Sequence, residues 1–399
     1  MVPLIRAGRL LHSWWWRTWI ALALANLILG FVIYRDIDLV TMHRWTSAWL
    51  FQGLDLFAQA EWGVDYPPNG IVVLSPMALL TPHQAGFVWA GLSLALAALA
   101  PGLAARCVRD DAPAADVAVL TVTFLCWSGV RTVLQFTLLP LVLALLAWRL
   151  ADKRPWLAGA ALGLAVMKPQ VALPICLWVL LRGRWRVLAA AAATAAGLLA
   201  VYCLRVEGSP VDVLQGWLRA IAVVYTGPDR MTGFSELSAL MTSDAADTWA
   251  PVLAAVLYAG VLAGALGEQQ RATATGRPAR FLALPGIAAA ATLLAFRHMS
   301  LAFVSLLPAA AYLLLDGDTT TRDRRGPLFW LLQAFMIVDL PTIQRRLGFL
   351  GVSLGPVDVV FRHADRLAIA GLFVALVALQ WMAIDARSGA PVQGAGDAA

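Results

Sequence analysis

The stretch YRDIDLVTMHRW, residues 34–45, gathers Asp36, Asp38, Arg35, His43 and Arg44 directly behind an apolar run. A carboxylate within about 2.6–3.2 Å of a hydroxyl can take its proton as a general base. On a helix Asp36 and Asp38 would point about 200° apart, so only one could face a given site. The bland alternative is a pair of solvated loop charges, or a helix N-cap. An Asp-x-Asp tripeptide also fits a metal on a diphosphate, but three residues are slender grounds for one.

Other polar residues interrupt apolar runs farther along. Lys168 breaks the run from Trp156 to Leu181 in MKPQ, residues 167–170. A lysine there either snorkels to the headgroups or serves as a point charge for a phosphate. SGVRTVLQFT (128–137) brings Arg131 and Gln135 one helical turn apart, and FRHMS (296–300) carries Arg297 and His298. A lone arginine would be a topology anchor, and a lone histidine a structural hydrogen-bonding group. Three cationic corners between apolar spans together suit an anionic lipid. DYPPNG (65–70) sets Tyr66 before two prolines. That reads as a helix start, or as a stiff turn holding a loop over a cavity.

The elements that must position these residues are membrane helices. Hydrophobic residues make up 60% and charged residues 14% of the 399, against about 25% charged in a soluble domain; mean hydropathy is +0.74. An integral, polytopic, all-α chain follows. The basic residues are scattered through short loops, so the net charge of +6 reads as membrane orientation and not as nucleic-acid binding. Seventeen Trp suit interfacial anchors. Cys107, Cys126, Cys176 and Cys203 show no Cys-x-x-Cys spacing, so neither a disulfide framework nor a zinc site is indicated.

Spans are expected near 18–34, 84–105, 113–128, 132–148, 156–168, 170–181, 187–204, 249–267, 281–296, 299–315, 327–340 and 366–385. The first reads as a retained anchor helix. The Lys/Arg-rich loops RCVR, WRLADKR, RGRWR, EQQRATATGRPAR and TTTRDRRG orient both termini to the cytoplasm. Parity then makes PPNGIVVLSPMALL (67–80) a re-entrant or surface-lying helix. It also leaves two long segments outside, 35–83 and about 205–248. Residues 1–385 form one membrane domain, and 386–399 a small polar, disordered cytoplasmic tail.

These pieces in this order resemble glycosyltransferase family 87, the polyprenyl-phosphate-mannose-dependent mannosyltransferases of the GT-C fold. The resemblance rests on an Asp after the first span, then GLDLF (53–57), YPP, Gln135, and GAALGLAVMKPQVALPICLWVLLRGRWR (159–186). It covers about residues 30–315. Met42 stands where the family commonly has Tyr, and LQFT and GFSELS replace two of its Asn-containing patterns.

The resemblance implies a GT-C-type bundle of about 12 spans in the inner (plasma) membrane, with its active site facing outward. It implies an inverting transfer of a sugar, mannose before others, from a polyprenyl-phosphate donor to an envelope glycolipid or glycan. Asp38 is the expected base and Asp36 the second choice. Lys168, Arg131, Arg297, Gln135, His298 and Tyr66 are the expected phosphate or sugar contacts. One phosphate needs less neutralising charge than a diphosphate, so neither a metal nor another cofactor is expected. The rival is a 12-span transporter or flippase, which would show pseudo-symmetric halves and charges at mid-membrane; no repeat is evident.

Overall fold

A computed structural model describes residues 14–33, 37–58, 63–64, 66–127, 130, 136–225, 243–275, 279–295, 300–316, 322–338 and 357–388. Every regular element among them is helical. In chain order these are α1 (Trp14–Ile33), α2 (Ile37–Gln52), α3 (Pro68–Leu74, continued by the 3-10 turn Ser75–Leu79), α4 (Pro82–Val108), α5 (Ala114–Leu125), α6 (Leu138–Leu150), α7 (Pro155–Ala165) and α8 (Pro169–Leu181). They are followed by α9 (Trp185–Val206), α10 (Pro210–Tyr225), α11 (Ser243–Thr275), α12 (Leu284–Ala295), the 3-10 stretch Ser300–Leu306 leading into α13 (Leu307–Leu315), α14 (Arg322–Ile337) and α15 (Val357–Ser388). A helix lies at each expected span. The two long segments also hold helices of their own, α2 and α10. The helix α15 runs to Ser388, three residues into the stretch read as tail, and 389–399 lie outside the described residues.

Among the described residues, α4 and α9 are both long and apolar enough to cross a membrane. Their 27 and 22 residues extend about 40 and 33 Å, against a hydrocarbon core of about 30 Å. The helices α7 and α8, with 11 and 13 residues, reach only about 16 and 20 Å. Broken backbone at that depth is tolerated where protein surrounds it. Accordingly α7 packs on α9 and α6, and α8 on α12 and α6. With α3 and its 3-10 turn, 67–80 spans roughly 20 Å, too short for a crossing.

Small residues set the tightest of these contacts. A Cβ on Gly163 would lie 2.6 Å from the Ala191 carbonyl oxygen, and one on Gly159 2.5 Å from that of Val187. This Gly-x-x-x-Gly face of α7 lets the two backbones approach as small residues do between membrane helices. At α1, Asn26 donates to the carbonyls of Leu125 (2.8 Å) and Trp127 (2.9 Å). It thereby serves acceptors left over at the end of α5.

The apolar interior has two parts. The larger fills the bundle of α4–α8 and α11–α15. The smaller joins Leu39, Met42, Trp45 and Trp49 of α2 to Ile71 and Leu74 of α3, Trp89, Phe136, Met167 and Tyr202. It forms a helical cap over one end of α4, α6, α7 and α9.

The two ends of the bundle differ in charge. Arg149 on the last turn of α6 pairs with Asp110, and Arg182 and Arg184 beyond α8 pair with Asp152 at 3.4 and 2.5 Å. Arg182 also donates to the Arg280 carbonyl at 3.3 Å. Trp156 and Trp185, strongly exposed in the first turns of α7 and α9, ring this basic end, as interfacial anchors do. The opposite ends of α6 and α8 carry Thr137 and Lys168.

Candidate functional site

Lys168 owes its position to the residue after it. Clash with a proline ring pushes the preceding residue out of the helical region. Lys168, before Pro169, has φ −134° and ψ 86°. The chain therefore breaks between α7 and α8, with Lys168 at the corner. The same rule acts at Tyr66-Pro67-Pro68, where Pro67 is extended (φ −67°, ψ 160°) and Pro68 opens α3.

The two corners meet. Lys168 Nζ donates to Thr137 Oγ1 at 2.7 Å and to the Tyr66 hydroxyl at 3.3 Å. It also sits 5.4 Å from the centre of the Tyr66 ring, within cation–π range. Thr137 is buried at the start of α6, and its hydroxyl makes no cap hydrogen bond to that helix. Lys168 and Tyr66 are half-buried. Phe136 backs the group, edge-on to Tyr66 at 6.2 Å and tilted against Trp89 at 4.4 Å. Above it, α3 lies close because Gly70 has no side chain; a Cβ there would come 3.3 Å from the Met167 carbonyl oxygen.

The corner is recessed. Gly159 and Gly163 of α7 lie beside Val187–Thr194 of α9, so Lys168 falls level with about the last third of α9. That helix continues some eight residues, or about 12 Å, to Val206. A lysine below the end of a spanning helix is costly unless partnered, and is functional by default.

Of the eight residues singled out from sequence, Lys168 and Tyr66 are thus brought into contact. Asp38 lies in the first turn of α2, and its side chain is outside what is described. Its neighbour Leu39 packs into the same small core as Trp89, Phe136 and Met167, and touches Gly86 one turn before Trp89. Asp36, Arg131, Gln135, Arg297 and His298 lie outside the described residues. The residues after Arg297 and His298, Ser300–Leu306, touch α6 and α8. His43, beside the carboxylates in sequence, hydrogen-bonds the Leu80 carbonyl through Nε2 at 2.8 Å and links α2 to the turn before α4.

Sequence reasoning passed over Thr137, although it precedes an apolar run as a helix-start residue does. It also passed over the bracing of GLDLF. The Tyr202 hydroxyl accepts from the Leu56 N–H at 3.1 Å, and Arg205 Nε donates to the Leu50 carbonyl at 2.9 Å. Gly53 turns with φ +66°, a conformation that suits glycine. From the second long segment, Gly216 of α10 presses on this loop; a Cβ there would lie 2.7 Å from the Phe57 carbonyl oxygen. The two segments read as lying on one side of the membrane therefore touch.

A cation held by two hydroxyls in a recess of a membrane bundle can neutralise an anionic group on a lipid. Comparison with known proteins bears on what that group is. The family model of glycosyltransferase family 87 matches residues 65–295. The match includes Tyr66, Arg131, Gln135, Thr137 and Lys168, while Asp36, Asp38, Arg297 and His298 fall outside it. No curated protein and no solved structure matches the chain. The family match spans more than half of the 399 residues and decides against the transporter: the chain is a membrane protein that belongs to glycosyltransferase family 87.

Proposed function

We propose that this glycosyltransferase moves a sugar, mannose before others, from a polyprenyl-phosphate donor to a hydroxyl of an envelope glycolipid or glycan, on the outer face of the plasma membrane. The observation that carries the reading is the Lys168 ammonium held between Thr137 and Tyr66 at the corner between α7 and α8. In this reading the bundle crosses the membrane about 12 times with both termini in the cytoplasm.

The reaction is a single displacement. An acceptor hydroxyl oxygen attacks the anomeric carbon of the donor, and Asp38 takes the hydroxyl proton. The bond from that carbon to the phosphate oxygen breaks, and polyprenyl phosphate leaves with the electron pair. The anomeric configuration inverts. Lys168 binds the donor phosphate, and Arg131 and Arg297 stabilise the charge that develops on it as it departs, the kind of preorganised electrostatic help that dominates many enzymes. Tyr66, Gln135 and His298 are hydrogen-bonders for the sugar or phosphate. Asp36 is the alternative base.

The test is transfer by the purified protein in liposomes from polyprenyl-phosphate mannose, with nucleotide-linked mannose as the comparison. The reading expects product from the lipid-linked donor and none from the nucleotide sugar. Product from the nucleotide sugar alone would overturn it.

A further inference from the structure

Lysine carries its charge on a flexible four-carbon stem with three rotatable donors. A phosphate-binding lysine that must also order its side chain on binding loses affinity to that ordering. Here the side chain is already placed. Thr137 is buried, with 2% of its surface exposed, and its Oγ1 lies 2.7 Å from Lys168 Nζ. That hydroxyl stands at the N-cap position of α6 but makes no cap hydrogen bond. A residue type favoured as a helix cap is thus directed at the lysine. Lys168 is in turn fixed at the head of α8 by Pro169, so one hydrogen bond ties the starts of two neighbouring helices through the ammonium group.

We infer that Thr137 is a positioning residue for the donor phosphate: its hydroxyl holds the Lys168 ammonium in the place from which it meets the polyprenyl-phosphate group. The inference rests on the donor reading above. Thr137 acts through Lys168 and forms no bond to the sugar. Its loss should therefore weaken donor capture far more than the chemical step.

The experiment measures donor KM and kcat in liposomes for wild type, Thr137→Val, Thr137→Ser, Lys168→Ala and the double variant Thr137→Val/Lys168→Ala. Thr137→Ala stands in if the valine variant does not fold. A hydrogen bond to a charged group predicts a rise in donor KM of about tenfold for Thr137→Val, with kcat within about twofold. Thr137→Ser keeps the oxygen and should stay near wild type. In the double variant, the valine should add nothing to the effect of Lys168→Ala, because the two act as one unit. Three results would overturn the inference alone: Lys168→Ala impaired but Thr137→Val unchanged, Thr137→Ser as poor as Thr137→Val, or the two losses multiplying in the double variant. An unchanged donor KM in Lys168→Ala would remove the donor reading itself, and the inference with it.

Discussion

The Tyr202 hydroxyl, near the end of α9, donates to Asp55 Oδ1 in the GLDLF turn at 3.3 Å while accepting from the Leu56 N–H at 3.1 Å. Trp49 stacks on the Tyr202 ring at 5.7 Å and Phe57 tilts against it at 5.4 Å. One side chain of a spanning helix thus fixes the turn that leads out of α2, the helix that carries Asp38.

Tyr202→Phe keeps both ring contacts and removes only the hydroxyl. It leaves the buried Leu56 N–H without this acceptor, at a cost of roughly 1–3 kcal/mol. The expected outcome is a lower melting temperature in detergent and reduced transfer, with Tyr202→Ala worse on both counts. A Phe variant as stable as wild type would show that the turn is held by packing alone.

The α7–α9 contact gives a second prediction, with its own control. Gly159→Ala places a methyl group 2.5 Å from the Val187 carbonyl oxygen, so the helices must separate. Overpacking of this kind costs about 1–3 kcal/mol. Gly91→Ala in α4 meets nothing within 4 Å and should be neutral or slightly stabilising, as alanine is in helices. Melting curves of the two variants should diverge. Equal behaviour would mean that α7 and α9 do not pack as closely as described.

Much of this was legible in the sequence. Helices were readable from apolar runs, and the corner at Lys168 from the Pro169 that follows it, because a proline's steric demand is local. The bend at YPP was readable for the same reason. The order of the motifs pointed to the family. What a single sequence does not encode locally is which loops meet. Lys168–Thr137 and Lys168–Tyr66 span 31 and 102 positions, and Tyr202–Asp55 spans 147. Within 35–83 the helix at 67–80 was readable, but α2 and α10 were missed because their polar faces masked the apolar residues that build the small core. Thr137 stood at the end of a stretch in which Arg131 and Gln135, as the charged and amide groups, drew notice first.

The opposite ends of α6 and α8 supply a prediction on sidedness. In a background without the four native cysteines, Tyr66→Cys should react with a membrane-impermeant thiol reagent added outside intact cells. Arg184→Cys, at the basic end with Asp152, should react only after the membrane is opened. The reverse pattern would turn the whole bundle over and place the lysine corner in the cytoplasm.

The most direct test of the central claim is the transfer rate of Asp38→Asn. Asparagine preserves size and most hydrogen bonding but cannot accept the acceptor hydroxyl's proton as a base. A general base contributes about 10²–10⁴-fold in rate. The account predicts a variant that inserts, melts near wild type and still binds polyprenyl-phosphate sugar, yet transfers it at least about a hundredfold more slowly, while Asp36→Asn loses much less. Equal transfer by wild type and Asp38→Asn would contradict the account, and a larger loss in Asp36→Asn would move the base to Asp36.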